Sequence, residues 1–380
     1  MKTCYLALSV LRRSWFPFLI ACLIMTVSLS LLVSASAEYR YITASRDALQ
    51  ANRLQNAVFF ALPYDNNDEP YLPDGLTDLP ACKGLVLLSS GGLARAQNGE
   101  YYNTTVLSRE AIDAIVLPMQ SGRYLDPSSD TPEAIVPARY RGELSLGDTL
   151  AMQDGTSATV VGFVRDEMPL PSFRRFGTHL SADRLFDANA DTVLLFLPHH
   201  VAKNACRPVA AMLLDPNASA NDRLALTKQL GEGGRTVPFS SLEEQTERTV
   251  DAALRQKLPF PLFLLVISTV AMLCISALAI ERSMREQANY YLLGCSKRHS
   301  KGILLLAVCT VFTVPTVINL VLLYAFPSFL RFDTKAYMLT GDTVWLLLLY
   351  WGACILFSVA LTHLLYGKYT PLAFYRKNLT

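Results

Sequence analysis

Four long stretches of this chain contain no Asp, Glu, Lys or Arg. They cover residues 14–37, 258–280, 302–330 and 343–367. Each exceeds the roughly 20 residues that a helix needs to cross the apolar core of a bilayer. Only 17% of the 380 residues are charged and 51% are apolar, whereas soluble domains carry about 25% charged residues. The sequence therefore predicts a membrane protein with four transmembrane helices.

The remaining charges indicate how the chain is oriented. Residues 38–257 contain 28 acidic and 21 basic residues, a net charge of −7. The short segments 1–13, 281–301 and 368–380 are instead rich in Lys and Arg. Positively charged short segments remain on the cytoplasmic side of the membrane. We therefore expect a multi-pass protein of the plasma membrane with both termini in the cytoplasm, and with residues 38–257 and the short loop 331–342 outside.

The first stretch has a second interpretation as a signal peptide. Arg12 and Arg13 precede the apolar run, and Ala35-Ser36-Ala37 has the small residues of a cleavage site. The uncharged run is 24 residues long, which exceeds the usual 7–15 residues of a signal-peptide core. A transmembrane helix is therefore preferred, and the orientation of the other segments is the same in both interpretations.

Residues 38–257 predict an α+β domain. Short apolar, β-branched runs between turn residues are typical of strands, and they occur at residues 84–89, 105–107, 134–137, 149–152, 158–164, 192–197 and 209–214. Segments 44–54 and 246–257 lack Pro and Gly and predict stalk helices next to the first and second spans. The segment 121–164 is expected to form a compact β lobe inserted into the domain.

Motifs for nucleotide binding, hydrolysis or metal binding are not evident. Gly367-Lys368 lacks the earlier glycine of a phosphate-binding loop, and no GxSxG sequence is present. His179, His199 and His200 have no zinc-binding spacing around them. We therefore expect no catalytic residue, no metal or cofactor bound by this chain, and no nucleic-acid partner. A membrane-anchored enzyme is the weaker alternative.

Two of the eight cysteines, Cys82 and Cys206, lie in the predicted outer domain. The outside of the membrane is the oxidising side, where disulfides form and persist. Free cysteines are also among the most deeply buried residue types. A disulfide between Cys82 and Cys206 and a pair of buried thiols are the two alternatives that the sequence leaves open.

The loop between the second and third spans is short and polar. A helical period places Glu281, Arg282, Arg285 and Glu286 on one side of the segment, and Gly294 is expected to end that helix. A hairpin that touches lipid headgroups and a docking element for a soluble partner both fit this pattern.

Three groups of residues carry a family resemblance. The cytoplasmic loop contains Arg285-Glu286, followed by Leu293-Gly294 and Ser296. The outer segment contains Gly122-Arg123-Tyr124-Leu125, then Gly147-Asp148-Thr149-Leu150, and apolar runs at 134–136 and 160–164. Pro371 and Arg376 lie close to the end of the chain. Together with the order of the spans, these motifs resemble the MacB/FtsX-like permeases of ABC transporters, which are the type VII or mechanotransmission permeases.

The resemblance implies an architecture and partners. The fold would be a membrane α-helical protein with four transmembrane helices and an extracytoplasmic, MacB-like α+β domain between the first and second spans. A separate ABC ATPase dimer would bind ATP and Mg, and a second permease chain would complete a homodimer or heterodimer. Membrane lipids and an extracytoplasmic accessory protein are further expected partners. The ATPase-coupling residues would be Glu281, Arg282, Arg285, Glu286, Leu293, Gly294 and Ser296.

The resemblance also implies a function in the bacterial cell membrane. The chain would couple ATP hydrolysis by the ATPase to a conformational change outside the membrane. That change would drive export or mechanotransmission of a peptide, lipid, lipoprotein or drug-like substrate. The alternative is an FtsX-like regulator that activates a cell-wall hydrolase or another outer partner.

Overall fold

A computed structural model describes most of the chain, namely residues 15–64, 70–73, 75–76, 81–153, 155–166, 168–173, 180–187, 192–198, 207–232, 235–292, 294, 296–325 and 341–368. The chain divides into two compact units. One unit consists of Met1–Ala37 with Ala253–Thr380, and we name it the helical unit. The other consists of Glu38–Ala252, and we name it the mixed unit.

The mixed unit combines strands with helices, as the sequence predicts. Its helices are the end of α1 (Trp15–Ala51), α2 (Arg109–Ala114), α3 (Ala182–Leu185), α4 (Ala220–Glu232) and α5 (Phe239–Ala252). Its strands are β1 (Ala57–Ala61), β2 (Cys82–Val86), β3 (Leu88–Ala96), β4 (Tyr101–Leu107), β5 (Met119–Gly122), β6 (Glu133–Pro137), β7 (Thr149–Met152), β8 (Ser157–Val164), β9 (Leu170–Pro171), β10 (Phe186–Asp187), β11 (Thr192–Phe196), β12 (Val209–Leu214) and β13 (Thr236–Pro238).

The larger sheet of the mixed unit closes into a ring. Its strand order is β5-β8-β6-β11-β4-β3-β7, and β7 also pairs with β8. One edge of β8 is paired with β6, while its other edge is shared between β7 at residues 157–159 and β5 at residues 162–164. Six strands therefore form a small closed barrel, and β5 attaches to it from the side. Apolar side chains such as Val136, Leu150 and Leu195 fill the interior of the barrel, so it is a packed core.

The smaller sheet has the order β13-β1-β12-β2 and shares a core with the barrel. Successive side chains of a strand point to opposite faces. Phe59 of β1 packs in the same buried cluster as Leu194 of β11. Phe60, on the opposite face, packs in a cluster with Leu226 of α4. The mixed unit is therefore layered, with apolar cores on both sides of the smaller sheet.

The expectation of a compact β lobe at 121–164, inserted into the domain, is wrong in one respect. Strands β5 to β8 do pair with one another, but the same ring also contains β3, β4 and β11. Long-range pairs such as Leu194 of β11 with Thr105 of β4 complete the barrel. The segment is therefore part of a larger sheet, because its strands leave hydrogen-bonding edges that neighbouring strands satisfy.

Within its described residues, the helical unit contains four helices that are long and apolar enough to cross a membrane. They are α1, α6 (Pro259–Leu292), α7 (Lys297–Ala325) and α8 (Gly341–Lys368). Between α5 and α6, residues Ala253–Lys257 form a π-helical turn, so the helix predicted for 246–257 is not α-helical to its end. The Cα atoms of α6, α7 and α8 approach one another closely in every pair, whereas α1 makes few such approaches to them.

Candidate functional site

The polar segment between the second and third spans forms a helical hairpin, which we name the coupling hairpin (residues 281–296). The charge-free run of the second span ends at Ile280, but α6 continues without a break to Leu292. The chain then turns at Gly294, which has a φ of +90°. Such a left-handed conformation after a helix favours glycine. Transmembrane and polar parts are therefore one continuous helix.

The return of the chain into α7 begins at Ser296. Its side-chain Oγ accepts a hydrogen bond from the backbone N–H of His299 at 3.3 Å, and its carbonyl accepts from Ser300 at 3.1 Å. A serine in this position satisfies an N–H group that the first turn of a helix otherwise leaves unpaired. Ser296 therefore acts as the N-cap that starts the third apolar helix.

Small residues allow α6 and α7 to pack closely behind the hairpin. Ser276, Ala279 and Ser283 of α6 are buried, as are Ser300 and Ala307 of α7. The hydroxyl groups of Ser276 and Ser283 donate to carbonyl groups of their own helix, so burying them leaves no donor unpaired. Small side chains let helix backbones approach one another in membranes. The hairpin is thereby supported on a closely packed pair of helices.

The predicted coupling residues are distributed along this hairpin. Glu281 and Arg282 lie at exposed positions of α6, and Arg285 and Glu286 follow on the same helix. Leu293 lies outside the described residues. The structure thus places six of the seven predicted residues on one helix end, its turn and the next helix cap. Their coupling to an ATPase stays a prediction.

The outer motif around Gly122 lies where β5 joins the barrel. Gly122 has a φ of +76°, and a side chain there would collide with the carbonyl oxygen of Val161 and with Gly162. The N–H of Arg123 donates to that same carbonyl at 3.0 Å. Two glycines therefore let two strands cross closely at the point where β8 changes partner from β7 to β5.

A buried carboxylate holds the loop that follows. Glu133 is only 3% exposed, and it accepts hydrogen bonds from both terminal nitrogens of Arg123 and from the N–H of Asp126 at 3.0 Å. Burial by itself raises the pKa of Glu133, but these hydrogen bonds outweigh it and the pKa is lowered. The pKa of Tyr124 is raised, mainly by burial, and its hydroxyl donates to the carbonyl of Ile115 at 2.8 Å.

Several other predicted features fall only partly within the described residues. Cys82 is half-buried at the start of β2, but Cys206 lies outside the described residues, so their disulfide stays a prediction. The three histidines at 179, 199 and 200 and the terminal Pro371 and Arg376 also lie outside. Within the part that is described, no group of three or more His, Cys, Asp or Glu residues could hold a metal ion.

The sequence interpretation overlooked Asn319. This residue is the only Asn or Gln in the four charge-free stretches, and it is fully buried. Its Nδ2 donates to the carbonyl of Thr26 at 3.0 Å and to Oγ of Ser30 at 2.8 Å, both on α1. An amide inside a transmembrane stretch costs free energy unless it is hydrogen-bonded. A single Asn in otherwise apolar stretches was therefore the sequence signal for a buried polar contact.

No protein-family model matches the sequence, and neither does any curated protein. Solved structures similar to it include the following three. The periplasmic region of MacB from Actinobacillus actinomycetemcomitans is 10% identical, with 53% of this chain and 95% of that chain covered and a TM-score of 0.34. The extracellular domain of YknZ, a noncanonic ABC-type transporter from Gram-positive bacteria, is 15% identical, with coverages of 47% and 96% and a TM-score of 0.29. A domain of a protein described as a permease from Porphyromonas gingivalis is 11% identical, with coverages of 50% and 93% and a TM-score of 0.29.

Proposed function

We propose that this chain is the permease subunit of an ABC transporter of the MacB/FtsX-like type. It would couple ATP hydrolysis by a separate ATPase to a conformational change outside the membrane. The observation that carries the proposal is the order of the segments along the chain: an apolar helix, a folded α+β unit, a second apolar helix, a charged hairpin and two further apolar helices. The sequence motifs quoted above resemble that family in the same order.

The coupling hairpin supports this function through its mechanical continuity. The helix that carries Glu281 and Arg282 is the same helix that forms the second span. A force applied to the hairpin would therefore act on the span without passing through a flexible linker. In an α-helix every backbone hydrogen bond runs along the axis, which makes it suited to transmit such a force.

Charge distribution supports the orientation that the function requires. The three short segments with excess Lys and Arg would face the cytoplasm, where an ATPase could bind the hairpin. The mixed unit would face outward. The ATPase dimer would hold ATP and Mg, while a second permease chain, lipids and an accessory protein outside the membrane would complete the assembly.

The proposal is tested by co-expressing the full chain with the ATPase encoded nearest to its gene and isolating the complex from membranes. We expect the ATPase to co-purify and its ATP turnover to depend on the permease chain. Co-purification of a cell-wall hydrolase in addition would assign the chain to the FtsX-like regulators. The proposed function would be rejected if the ATPase never co-purified and if its ATP turnover were the same with and without the permease chain.

Two variants test whether the coupling hairpin is needed for permease-dependent ATP turnover. In Gly294→Pro the fixed φ of proline, near −65°, is incompatible with the observed +90°, and Glu286→Lys reverses a charge on α6. We expect both variants to remain in the membrane and to lose permease-dependent ATP turnover. Gly302→Ala is the matched control, because a side chain there meets no atom within 4 Å. Normal turnover and transport in both variants would contradict the coupling assignment.

A further inference from the structure

Side-chain hydrogen bonds join different helices of the helical unit. Among the described residues, Thr269 of α6 pairs with Tyr350 of α8 at 2.6 Å, and Trp351 of α8 donates to Thr313 of α7 at 3.2 Å. Both join helices that already pack closely. The contact of Asn319 with α1 joins α7 to the one helix that makes few close approaches to the others.

The amide of Asn319 is only half satisfied. Its Nδ2 makes two hydrogen bonds to α1, but its Oδ1 is buried and has no donor within hydrogen-bonding distance in the described part of the chain. A buried acceptor without a donor costs free energy that offsets part of what the two bonds contribute. The unpaired oxygen of Asn319 therefore reduces the net stability of the hydrogen-bonded contact between α1 and α7.

The seam beside Asn319 is open on one side only, since Met25 and Leu29 of α1 are buried in one cluster with Phe312 of α7. An apolar groove of about 480 Å³ runs between α1 and α7. Its lining includes Thr26 and Val27 of α1 and Val314 and Ile318 of α7. Thr26 is also the residue whose carbonyl accepts the bond from Asn319. The open side of the seam thus adjoins the polar contact between Asn319 and α1.

We propose that Asn319 is a releasable clasp between the first and third apolar helices, which closes by donating its amide to Thr26 and Ser30 and opens when the amide oxygen finds a donor elsewhere. Its role in transport rests on the proposed function, since a permease that transmits force has to change the packing of its spans. The opening itself is a property of this chain alone, so the two proposals can fail separately.

The test measures the distance between α1 and α7 in the full chain reconstituted in lipid nanodiscs. Spin labels are attached at Val27→Cys and Ile318→Cys, after the eight native cysteines are replaced. Both positions line the groove and are 48% and 41% exposed. We expect two distance populations, one for the closed clasp and one for the open clasp.

Two variants should each shift these populations toward the open clasp. Ser30→Ala removes an acceptor that only the closed clasp uses, so the open population should increase about threefold relative to the closed one, the size of an average hydrogen bond between membrane helices. Asn319→Leu removes both hydrogen bonds that close the clasp, so the open population should increase at least as much. Thr313→Val, which removes the partner of Trp351 on α8, should leave the distances unchanged.

Either of two results would overturn the proposal. A single narrow distance that is the same in all variants would show that the contact is static. A shift toward the closed population in Asn319→Leu would show that the amide does not hold α1 to α7. Neither result depends on the ATPase, so neither would bear on the proposed function.

Discussion

The two units of this protein satisfy their buried polar groups in different ways. In the mixed unit several of these groups bridge distant parts of the chain: Asn52 accepts from the N–H of Val116, and the buried Thr246 accepts from the N–H of Ala182. In the helical unit most buried hydroxyls bond their own helix, as Ser276 does to the carbonyl of Met272 and Thr316 to that of Phe312.

This difference indicates what each unit depends on. A bridge between distant segments fixes the fold, because removing one partner leaves the other buried without a hydrogen bond. A hydroxyl that bonds its own helix is satisfied before the helices meet, so it contributes little to their association. We therefore expect polar substitutions to be costly in the mixed unit and mild in the helical unit.

The largest effect is expected for Arg123→Ala. The variant leaves the buried carboxylate of Glu133 without its charged partner. Breaking a fully buried pair costs about 3–5 kcal/mol, but the Arg123 side chain is 55% exposed, so solvent screening reduces the expected loss to about 2–3 kcal/mol. Amide hydrogen exchange of peptides from residues 119–137, measured on the full chain in detergent, reports the loss of local stability. Arg123→Lys should recover only part of it, since lysine cannot make the two-pronged contact. Unchanged exchange in Arg123→Ala would contradict the assigned role of Glu133.

The same pair predicts how stability depends on pH. Because the pKa of Glu133 is lower in the folded protein, its contribution is fully present above the pKa of the unfolded chain, about 4.3, and is lost as the pH falls through the folded value. Acid should therefore destabilise this region in the unmodified protein. In Glu133→Gln that part of the pH dependence should be absent.

Gly122→Ala is expected to have the next largest effect, a loss of about 2 kcal/mol of stability. The backbone strain of a positive φ and the steric clash with β8 both contribute to this loss. The matched control is Gly99→Ala. Gly99 has a similar φ of +88°, but a side chain there meets no atom within 4 Å, so it should cost about 1 kcal/mol. Thermal unfolding of the two purified variants compares them. Equal losses would show that crowding at the barrel junction is unimportant.

Thr246→Val tests the comparison in the mixed unit. Valine has nearly the shape of threonine but cannot accept from the N–H of Ala182, which lies 3.0 Å from the hydroxyl. We expect a loss of about 1–2 kcal/mol. Faster amide exchange in peptides that contain α3 and α5 would confirm it.

Thr316→Val is the counterpart in the helical unit, and it should have the smallest effect, within about 0.5 kcal/mol. Both threonines are buried, and both donate to the carbonyl four residues earlier, at 2.7 and 2.9 Å. They differ in the additional bond that Thr246 accepts. Equal losses of thermal stability in the two variants would show that buried hydroxyls matter equally in the two units, which contradicts the proposed difference between them.

Local patterns in the sequence predicted the units and many element boundaries. The strands predicted at 149–152 and 209–214 coincide with β7 and β12, because alternating or continuous apolar runs ended by polar residues are local signals. Strand β1 was missed, although its apolar run before Pro63 carried the same kind of signal. In β3, the sequence Ser89-Ser90-Gly91-Gly92 has little strand propensity, so only its pairing with β4 and β7 defines it.

Closure of the barrel could not be predicted, because it depends on which strand edges meet in space. The positive φ of Gly122 is likewise set by the approach of β8 and not by its neighbours in sequence. For the coupling hairpin, the turn at Gly294 was predictable from glycine's preference for helix ends, and it lies where the helix stops. The half-satisfied amide of Asn319 required the position of α1 to be known.

The closed ring has a consequence for making this protein in quantity. Sheets with free outer strands offer unpaired backbone groups to neighbouring molecules, which promotes aggregation. Here the backbone of β8 is occupied along both of its edges. A substitution that detaches β5 would expose part of one of those edges. We therefore expect such a variant to aggregate and to accumulate as insoluble protein during overproduction.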